Sequence, residues 1–354
     1  MEHPHRASSD PLKGATPAVR QSRPGGVSWA VLVLVASLLL ALTQGRIDIP
    51  LSDLGQLVWS LLQGAPAPNE QVQTILLQVR GPRALAALAV GAALAVAGAA
   101  FQGLFRNPLV SPDILGASAG AALGAVLGIF FSFGVFGIQM AAFAGGLLAV
   151  ALVYGVGSTV RHGDPVLVLL LAGIVIGSLL GAGIGMVKVL ADPYNQLPAM
   201  TFWLLGSLAG AHANDLPSLI APVALGTVVL LLLRWRMDVM SLPEDEARSL
   251  GARTTCLRLL IVAAATLVTA ASVAAAGIVG WVGLVVPHLA RFLVGPSFVR
   301  LLPTSAVLGG GLLLLIDTLA RTLAPVEIPL GILTALIGSP FFIVLLRRAS
   351  RGWT

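Results

Sequence analysis

Residues 80–120 read RGPRALAALAVGAALAVAGAAFQGLFRNPLVSPDILGASAG, and this stretch determines the class of fold. Its section 84–104 is a run of apolar and small residues. About twenty such residues are needed for a helix to cross the hydrocarbon core of a bilayer. Gly91 and Gly98 lie seven residues apart, on one helix face, where the missing side chains permit close contact with another helix. The stretch predicts a membrane-spanning helix packed tightly inside a bundle.

The composition of the whole chain agrees with that reading. Of its 354 residues, 57% are hydrophobic and only 10% are charged, and the mean hydropathy is +0.94. A soluble domain has about 25% charged residues, so this chain could not cover itself with a polar surface. The composition therefore predicts an all-α polytopic membrane protein.

Ten apolar runs, separated by charged or proline-containing breaks, predict about ten transmembrane helices. They lie near 27–45, 84–104, 113–132, 137–159, 165–189, 218–235, 256–276, 279–294, 303–322 and 329–346. The segment 197–209 is apolar but short, which favours a re-entrant or interfacial helix. Residues 1–26 are polar and predict a disordered cytosolic tail before a membrane domain of residues 27–348, and 349–354 form a C-terminal tail.

The distribution of basic residues predicts that both termini lie in the cytosol, because cytosolic loops carry an excess of Lys and Arg. With that orientation only five of the 21 Lys and Arg face outward: Arg46, Arg80, Arg83, Lys188 and Arg321. These five either meet a negatively charged partner or contact lipid headgroups and helix ends, and their positions leave both possibilities open. The basic residues form no stripe, so nucleic acid is not an expected partner, whereas membrane lipids are.

Two segments identify a family. The first is 80–120, and the second is 276–291 (AGIVGWVGLVVPHLAR), followed by the Asp317–Arg321 pair and by VEIPLGILTALIGSPFF at 326–342. Both resemble signatures of the permease subunits of type II ABC importers, which take up iron–siderophore complexes, haem and cobalamin. The resemblance covers about 27–348. It implies a transport subunit of the cell (inner) membrane, with no catalytic residue, cofactor or metal of its own.

The resemblance also implies partners. These would be two copies of an ABC ATPase subunit, a periplasmic or lipid-anchored substrate-binding protein, and a second copy of the chain. In the family, the first arginine of an Arg-x-Pro-Arg motif faces an acidic residue of the binding protein. Arg80 would take that docking role, helped by Arg321, with Arg83 the weaker candidate. Pro82 is expected to start the helix at the outer surface, and Asp317 could pair with Arg321 four residues later.

The segment 241–251 (SLPEDEARSLG) predicts a short amphipathic helix outside the membrane. Ser241 and Glu244 fit a capping box, Pro243 suits the first turn, and Gly251 can end the helix. By resemblance this is a coupling helix that enters a cleft of the ATPase; the alternative is a solvated helix without a partner. The expected contact residues are Glu244, Asp245, Glu246, Ala247, Leu250 and Gly251. Pro243 and Trp281 stand where the family commonly has glycine and phenylalanine.

Three further expectations concern the interior. Ser111 or Asp113 is a plausible helix cap after the break at Asn107-Pro108. His288 lacks a second ligand nearby, so a hydrogen bond within the core is expected rather than haem or metal binding, and Cys256 stands alone. By resemblance the spans near 165–189 and 329–346 would line the transport path. A cytosolic gate would lie at Gly163, Asp164, Pro165, Val166 and Leu167.

The chain has no phosphate loop, because neither of its two lysines, Lys13 and Lys188, stands in a Gly-Lys-Ser/Thr motif. ATP hydrolysis must therefore come from a separate subunit. An ion-coupled secondary transporter is the second reading, although the span interiors are nearly free of acids. An intramembrane enzyme is the third, and no catalytic arrangement supports it. The segment 191–208 resembles permeases for siderophores and for molybdate or tungstate, so the substrate stays open.

Overall fold

The computed structural model describes residues 25–66, 69–160 and 165–350, and every regular element within them is a helix. The helices are α1 (Gly26–Thr43), α2 (Leu51–Gln63), α3 (Glu70–Thr74), α4 (Gly81–Leu104), α5 (Ala117–Phe130), α6 (Val135–Thr159), α7 (Pro165–Leu190), α8 (Gln196–Leu205), α9 (Leu216–Met240), α10 (Glu244–Ser249), α11 (Thr254–Ala276), α12 (Val282–Val294), α13 (Phe298–Thr322) and α14 (Leu330–Ser350). A π turn (Ile75–Arg80) and a 3-10 turn (Pro112–Leu115) complete the set. Nearly all of the predicted N-terminal tail, and residues 351–354, lie outside the described residues.

Seven of the described helical segments are long and apolar enough to cross a membrane: α1, the continuous segment Glu70–Leu104, α6, α7, α9, α11 and α13. Three shorter apolar helices, α5, α12 and α14, occupy the remaining predicted spans. The segment 197–209 overlaps the short helix α8 (Gln196–Leu205), whose re-entrant or interfacial position stays a prediction. The all-helical membrane fold is confirmed, whereas the number of true crossings and the side of the termini stay predictions.

The helix α4 lies at the centre of the bundle. It packs against α13, α11, α9 and α12, and residues 93–100 are buried throughout. Gly91 faces the backbone of Gly309 in α13, and Gly98 faces the backbone of Gly283 in α12, so closely that a Cβ at either position would collide with a carbonyl oxygen. The predicted close crossing at these two glycines is confirmed, and it fixes α4, α12 and α13 as one unit.

The start of α4 differs from the prediction. Pro82 lies in the first turn of α4, as expected, but Glu70–Leu104 is one continuous helical segment, so the helix extends back beyond the proline. The π turn immediately precedes it, and the Gly81 N–H donates to the Leu76 carbonyl five residues back. Proline lacks an N–H and its ring clashes with the carbonyl four residues earlier in a regular helix. The wider turn accommodates Pro82 without ending the helix.

The helix α2 had no counterpart in the sequence prediction. Its residues Leu57 and Ser60 are buried, whereas Trp59 and Leu62 are largely exposed. Leu57 packs with Ile49, Val72 and Leu76 in a small cluster of its own. With 13 residues, α2 is too short to span a bilayer, and a search for apolar runs of spanning length passes over it.

The turn between α4 and α5 confirms the predicted break and corrects its cap. The Asn107 carboxamide accepts a hydrogen bond from the Leu109 N–H at 2.9 Å, which stabilises the reversal. Ser111 makes no side-chain capping bond. The Asp113 carboxylate accepts from the Ser118 hydroxyl rather than from the backbone. Ser111 occupies the N-cap position of the 3-10 turn without a side-chain bond, and the Asp113 carboxylate is engaged by Ser118, so neither side chain caps a helix.

Candidate functional site

Charged side chains gather at one end of the bundle, where α1 and α13 end and α4 begins. At its centre, Arg83 Nε lies 3.0 Å from both carboxylate oxygens of Asp317, and Arg83 Nη2 lies 2.8 Å from Oδ1. Arg83 also binds Glu327, in the connection between α13 and α14. Asp317 is only 1% exposed. We call this region, with Arg46, Arg80 and Arg321, the arginine end.

The predicted pairing of Asp317 with Arg321 is confirmed, with Arg321 Nε 3.3 Å from Asp317 Oδ2. The shorter contacts of Asp317, however, go to Arg83. Arg321 also donates to the Ala41 carbonyl at 3.2 Å. Sequence reasoning missed the Arg83 pair because the two residues are 234 positions apart, and local spacing carries no signal over that distance.

Two more arginines at the arginine end bind backbone carbonyls. Arg80 is 5% exposed and donates to Leu42 at 2.6 Å and to Ile47. Arg46 donates to the Pro325 carbonyl at 2.9 Å. These bonds tie the connection after α1 to the start of α4 and to the connection after α13. Arg80 is thus mainly enclosed by its own chain rather than presented on a free surface.

A cavity of about 350 Å³ opens between these groups. Four arginines and one glutamate line it, with apolar residues between them: Arg46, Arg80, Arg83, Arg321, Glu327, Ile47, Ile75 and Val79. Against the four guanidinium groups stand the carboxylates of Asp48, Glu327 and the buried Asp317, so positive charge is in excess by one. Guanidinium groups bind carboxylates through charge-assisted hydrogen bonds, which gives this cavity the chemistry to receive an acidic side chain.

The helix α10 lies at the opposite end of the bundle, between α9 and α11. The predicted capping box is wrong: Pro243 occupies the N-cap position without a side-chain bond. The Ser241 hydroxyl donates instead to the Asp238 carbonyl at 2.6 Å. Glu244 turns away from the helix start toward α11. The capping box failed because basic groups near Glu244 compete for its carboxylate.

Glu244 connects α10 to α11 through its side chain. Its Oε1 accepts from Arg248 Nη2 at 2.6 Å and from the Thr254 hydroxyl at 3.2 Å, and its Oε2 accepts from Arg258 Nη2 at 3.3 Å. Partial burial raises the pKa of Glu244, but Arg258, Arg248 and Thr254 together outweigh burial and hold that pKa below its usual value. The carboxylate is thus charged near neutral pH and joins the two helices.

The predicted end of α10 is confirmed. Gly251 has a positive φ of 80°, its N–H donates to the Arg248 carbonyl at 2.9 Å, and the Ala252 N–H donates to Ala247 at 3.1 Å. This is the pattern in which a left-handed glycine closes a helix. Ala247 is buried, whereas Leu250 is 66% exposed. The acids Asp245 and Glu246 are exposed as well, so α10 presents one apolar and two acidic side chains outward.

Asp238 is a structural residue at the same end that sequence reasoning missed. Its carboxylate accepts from the Phe298 N–H at 2.7 Å and from the Ser297 hydroxyl at 2.9 Å. It therefore caps the start of α13 from the end of α9. Nearby, Arg291 donates to the Gln102 carboxamide. The two members of each pair lie far apart in the chain, so local sequence patterns predict neither the Asp238–Phe298 contact nor the Arg291–Gln102 contact.

The hydrogen bond expected of His288 is present, with its Nδ1 2.9 Å from the Leu284 carbonyl in the preceding turn. Among the described residues, no group of three His, Cys, Asp or Glu could hold a metal ion. Two of the predicted gate residues, Gly163 and Asp164, lie outside the described residues. The other three open α7, where Pro165 and Leu167 are exposed.

Trp281 has an unusual backbone conformation, with φ of 67° at the residue before α12. A residue other than glycine is sterically strained in this left-handed region of φ. The ring packs edge to face against Phe342 of α14, with 6.1 Å between centroids, and it covers Gly338. Trp281, which stands where the family commonly has phenylalanine, thus lies at the contact between α12 and α14.

Most of the described chain is similar to known transport permeases in sequence and in shape. The family model described as the FecCD transport family matches residues 33–348. The molybdate import permease MolB of Haemophilus influenzae is 39% identical over 321 residues, or 91% of this chain and 95% of that protein. The cobalamin import permease BtuC of Halobacterium salinarum is 44% identical over 279 residues, or 78% and 74%. A solved inward-facing structure of a metal-chelate type ABC transporter matches with a TM-score of 0.83 and 37% identity, covering 92% of this chain and 99% of that one.

Proposed function

Because this chain belongs to the FecCD transport family, we propose that it imports a bulky metal chelate of the iron–siderophore, haem or cobalamin class. The chain is a multi-pass permease subunit of an ABC transporter in the inner membrane, and ATP hydrolysis belongs to a separate subunit. The observation that carries the proposal is the match of the whole membrane domain, in sequence and in shape, to a metal-chelate type transporter.

Molybdate or tungstate is the alternative cargo, supported by the relative that imports molybdate. The metal-chelate reading is favoured by the cobalamin relative and by the solved transporter. The helix α7, expected to line the path, contains no charged residue before Lys188. An apolar path holds no group that selects one anion, so recognition would rest with the substrate-binding protein.

A second copy of the chain would complete the path. Among the described residues of α7, only Leu169, Ala172 and Gly173 are buried. Gly177, Gly181 and Gly185 follow at intervals of four, and no described atom lies within 4 Å of where their Cβ atoms would stand. Small residues at this spacing let two helices approach closely in a membrane. This open glycine face of α7 fits a homodimer interface next to the path.

Partners of two kinds complete an importer of this family, an ATPase and a substrate-binding protein. We assign the ATPase to α10, one copy per protomer, through Asp245, Glu246 and Leu250. The binding protein would dock at the arginine end by placing an acidic side chain in the cavity. The guanidinium groups of Arg83, Arg321 and Arg80 would bind that acidic side chain. Arg80 also donates hydrogen bonds to two backbone carbonyls. With these assignments, the arginine end would face the outside of the cell and α10 would lie in the cytosol.

Reconstitution tests the proposed function. The chain would be purified with its ATPase and placed in vesicles, and uptake of cobalamin, haem, a ferric siderophore and molybdate would be compared with the cognate binding protein present. We expect ATP-dependent uptake of a metal chelate, and ATP hydrolysis stimulated by the binding protein. Uptake of molybdate alone would establish the alternative. Uptake by vesicles that hold only this chain, driven by a proton gradient, would refute the importer.

A further inference from the structure

An apolar groove runs along the outside of the bundle between α6, α9 and α11. Its volume is about 730 Å³. Its walls are almost entirely aliphatic, and they include Leu147, Val150, Leu225, Val229, Ala263 and Leu267. All three helices are candidate membrane spans. The groove therefore opens toward the hydrocarbon of the bilayer, where lipid chains are the surrounding solvent.

A second hollow, of about 470 Å³, continues the groove toward the α10 end. The two hollows share Leu260. On α9, Arg236 follows Val229 by seven residues and so lies on the same helix face, two turns further along. Arg253 directly precedes α11 and lines the same hollow. Groove and hollow form one track, apolar along the spans and basic at its mouth.

The two arginines at the mouth form no salt bridge with any carboxylate of the described residues. Both are exposed, and within the described residues neither makes an ion pair or a side-chain hydrogen bond. Of the carboxylates near them in sequence, Glu244 binds Arg248 and Arg258 and Asp238 caps α13, whereas Asp245 and Glu246 are exposed and pair with neither arginine at the mouth. The track thus ends, within the part of the chain that the structure describes, in two arginines without a salt-bridge partner, near the end of α9.

We propose that this track binds an anionic phospholipid, with one acyl chain in the groove and the phosphate headgroup between Arg236 and Arg253. Basic pockets between transmembrane helices on the cytosolic side suit such headgroups, and guanidinium groups bind phosphate in a forked geometry. The headgroup would lie against Gly251 and Ala252, so the lipid would touch the link between α10 and α11. A neutral lipid would fill the groove but leave both charges unmatched.

Native mass spectrometry of the full importer complex, incubated with phosphatidylglycerol or phosphatidylcholine, tests the proposal. We expect the complex to retain phosphatidylglycerol preferentially. Arg236→Gln with Arg253→Gln should weaken that retention by roughly thirty-fold, about five-fold per arginine removed. Arg106→Gln removes an exposed arginine outside the track and should change nothing. Equal retention of both lipids, or a double variant like the parent, would overturn the proposal.

Ala263→Trp supplies the second arm, because Ala263 lines the groove and an indole there would block the acyl chain. We expect this variant to lose phosphatidylglycerol although both arginines remain. If it keeps the lipid, only a phosphate-binding mouth exists and the acyl site is refuted. If it instead separates two copies of the chain in the same spectra, the groove is a protein interface. Failure of the proposed transport function would leave the lipid measurement unaffected.

Discussion

Arg83 and Asp317 form a two-pronged ion pair across 234 residues of chain, joining the start of α4 to the end of α13. Asp317 is 1% exposed and Arg83 is 11% exposed, so the pair is nearly enclosed. A buried ion pair contributes little over an apolar pair, but removal of one partner leaves an uncompensated charge. Loss of either partner is therefore expected to lower the stability of the protein substantially.

Asp317→Asn should destabilise the protein by about 3 kcal/mol, since it leaves Arg83 and Arg321 with Glu327 as the one remaining carboxylate. Thermal unfolding in detergent measures the loss. Glu327→Gln is the control, because Glu327 is 27% exposed and its loss should cost about 1 kcal/mol or less. Equal effects of the two variants would contradict the central role of Asp317.

Glu244→Gln should loosen α10 from α11, because it removes the counter-charge of Arg258 and Arg248. Hydrogen exchange of the α10 backbone should become faster, and transport by the reconstituted complex should fall more than basal ATP hydrolysis. Asp245→Asn removes the same charge from an exposed position and should leave exchange unchanged. Unaltered exchange in Glu244→Gln would refute the link.

The protection of α10 should also depend on pH. The pKa of Glu244 is lowered in the folded protein, so its contribution to stability is complete above the unfolded pKa of about 4.3. That contribution is lost as the pH falls through the lower folded value. Hydrogen exchange of α10, expressed relative to the intrinsic exchange rate at each pH, should therefore accelerate below about pH 4 in the parent. In Glu244→Gln the acceleration should be absent.

Gly98→Leu should prevent the native packing, since even a Cβ at this position would collide with the Gly283 carbonyl of α12. We expect a loss of several kcal/mol and aggregation on size-exclusion chromatography. Gly55→Leu in α2 is the control, because open space surrounds Gly55. A folded, monodisperse Gly98→Leu protein would show that α4 and α12 can separate.

Gly181→Leu should weaken the proposed homodimer while the protomer stays folded, because no described atom of another element lies within 4 Å of where the Gly181 Cβ would stand. Native mass spectrometry of the detergent-solubilised chain measures the dimer, and circular dichroism measures helix content. Loss of helix together with the dimer would show that Gly181 packs inside the protomer. Full retention of the dimer would move the interface away from the α7 glycines.

Replacing Arg80 and Arg321 with Glu should lower the affinity for the binding protein by at least about tenfold, since like charges then face the acidic docking residue. Surface plasmon resonance at low and high salt measures this loss, and the remaining affinity should depend less on salt. Lys188→Glu alters another basic residue predicted to face outward and outside the cavity, so it should bind normally. Unchanged affinity in the double variant would refute docking at the arginine end.

The sequence was sufficient to predict the long helices but not the side-chain contacts that join them. Apolar runs of spanning length mark α6, α7 and α9 because the bilayer imposes that length. The α10 end at Gly251 was also predictable, since a left-handed glycine is a local signal. Contacts between distant residues were not: Arg83 with Asp317 depends on the folded arrangement. The capping box failed at Glu244 because Arg258, on another helix, competes for the carboxylate.

The arrangement of Arg83 and Asp317 has a consequence for how the protein is made. At about 5–20 residues per second, the ribosome needs roughly ten to fifty seconds to pass from Arg83 to its partner, 234 residues later. During that interval the insertion machinery must hold a helix whose cation is unmatched. A nascent chain interrupted before α13 would keep Arg83 without Asp317, so this ion pair can form only after α13 has been made.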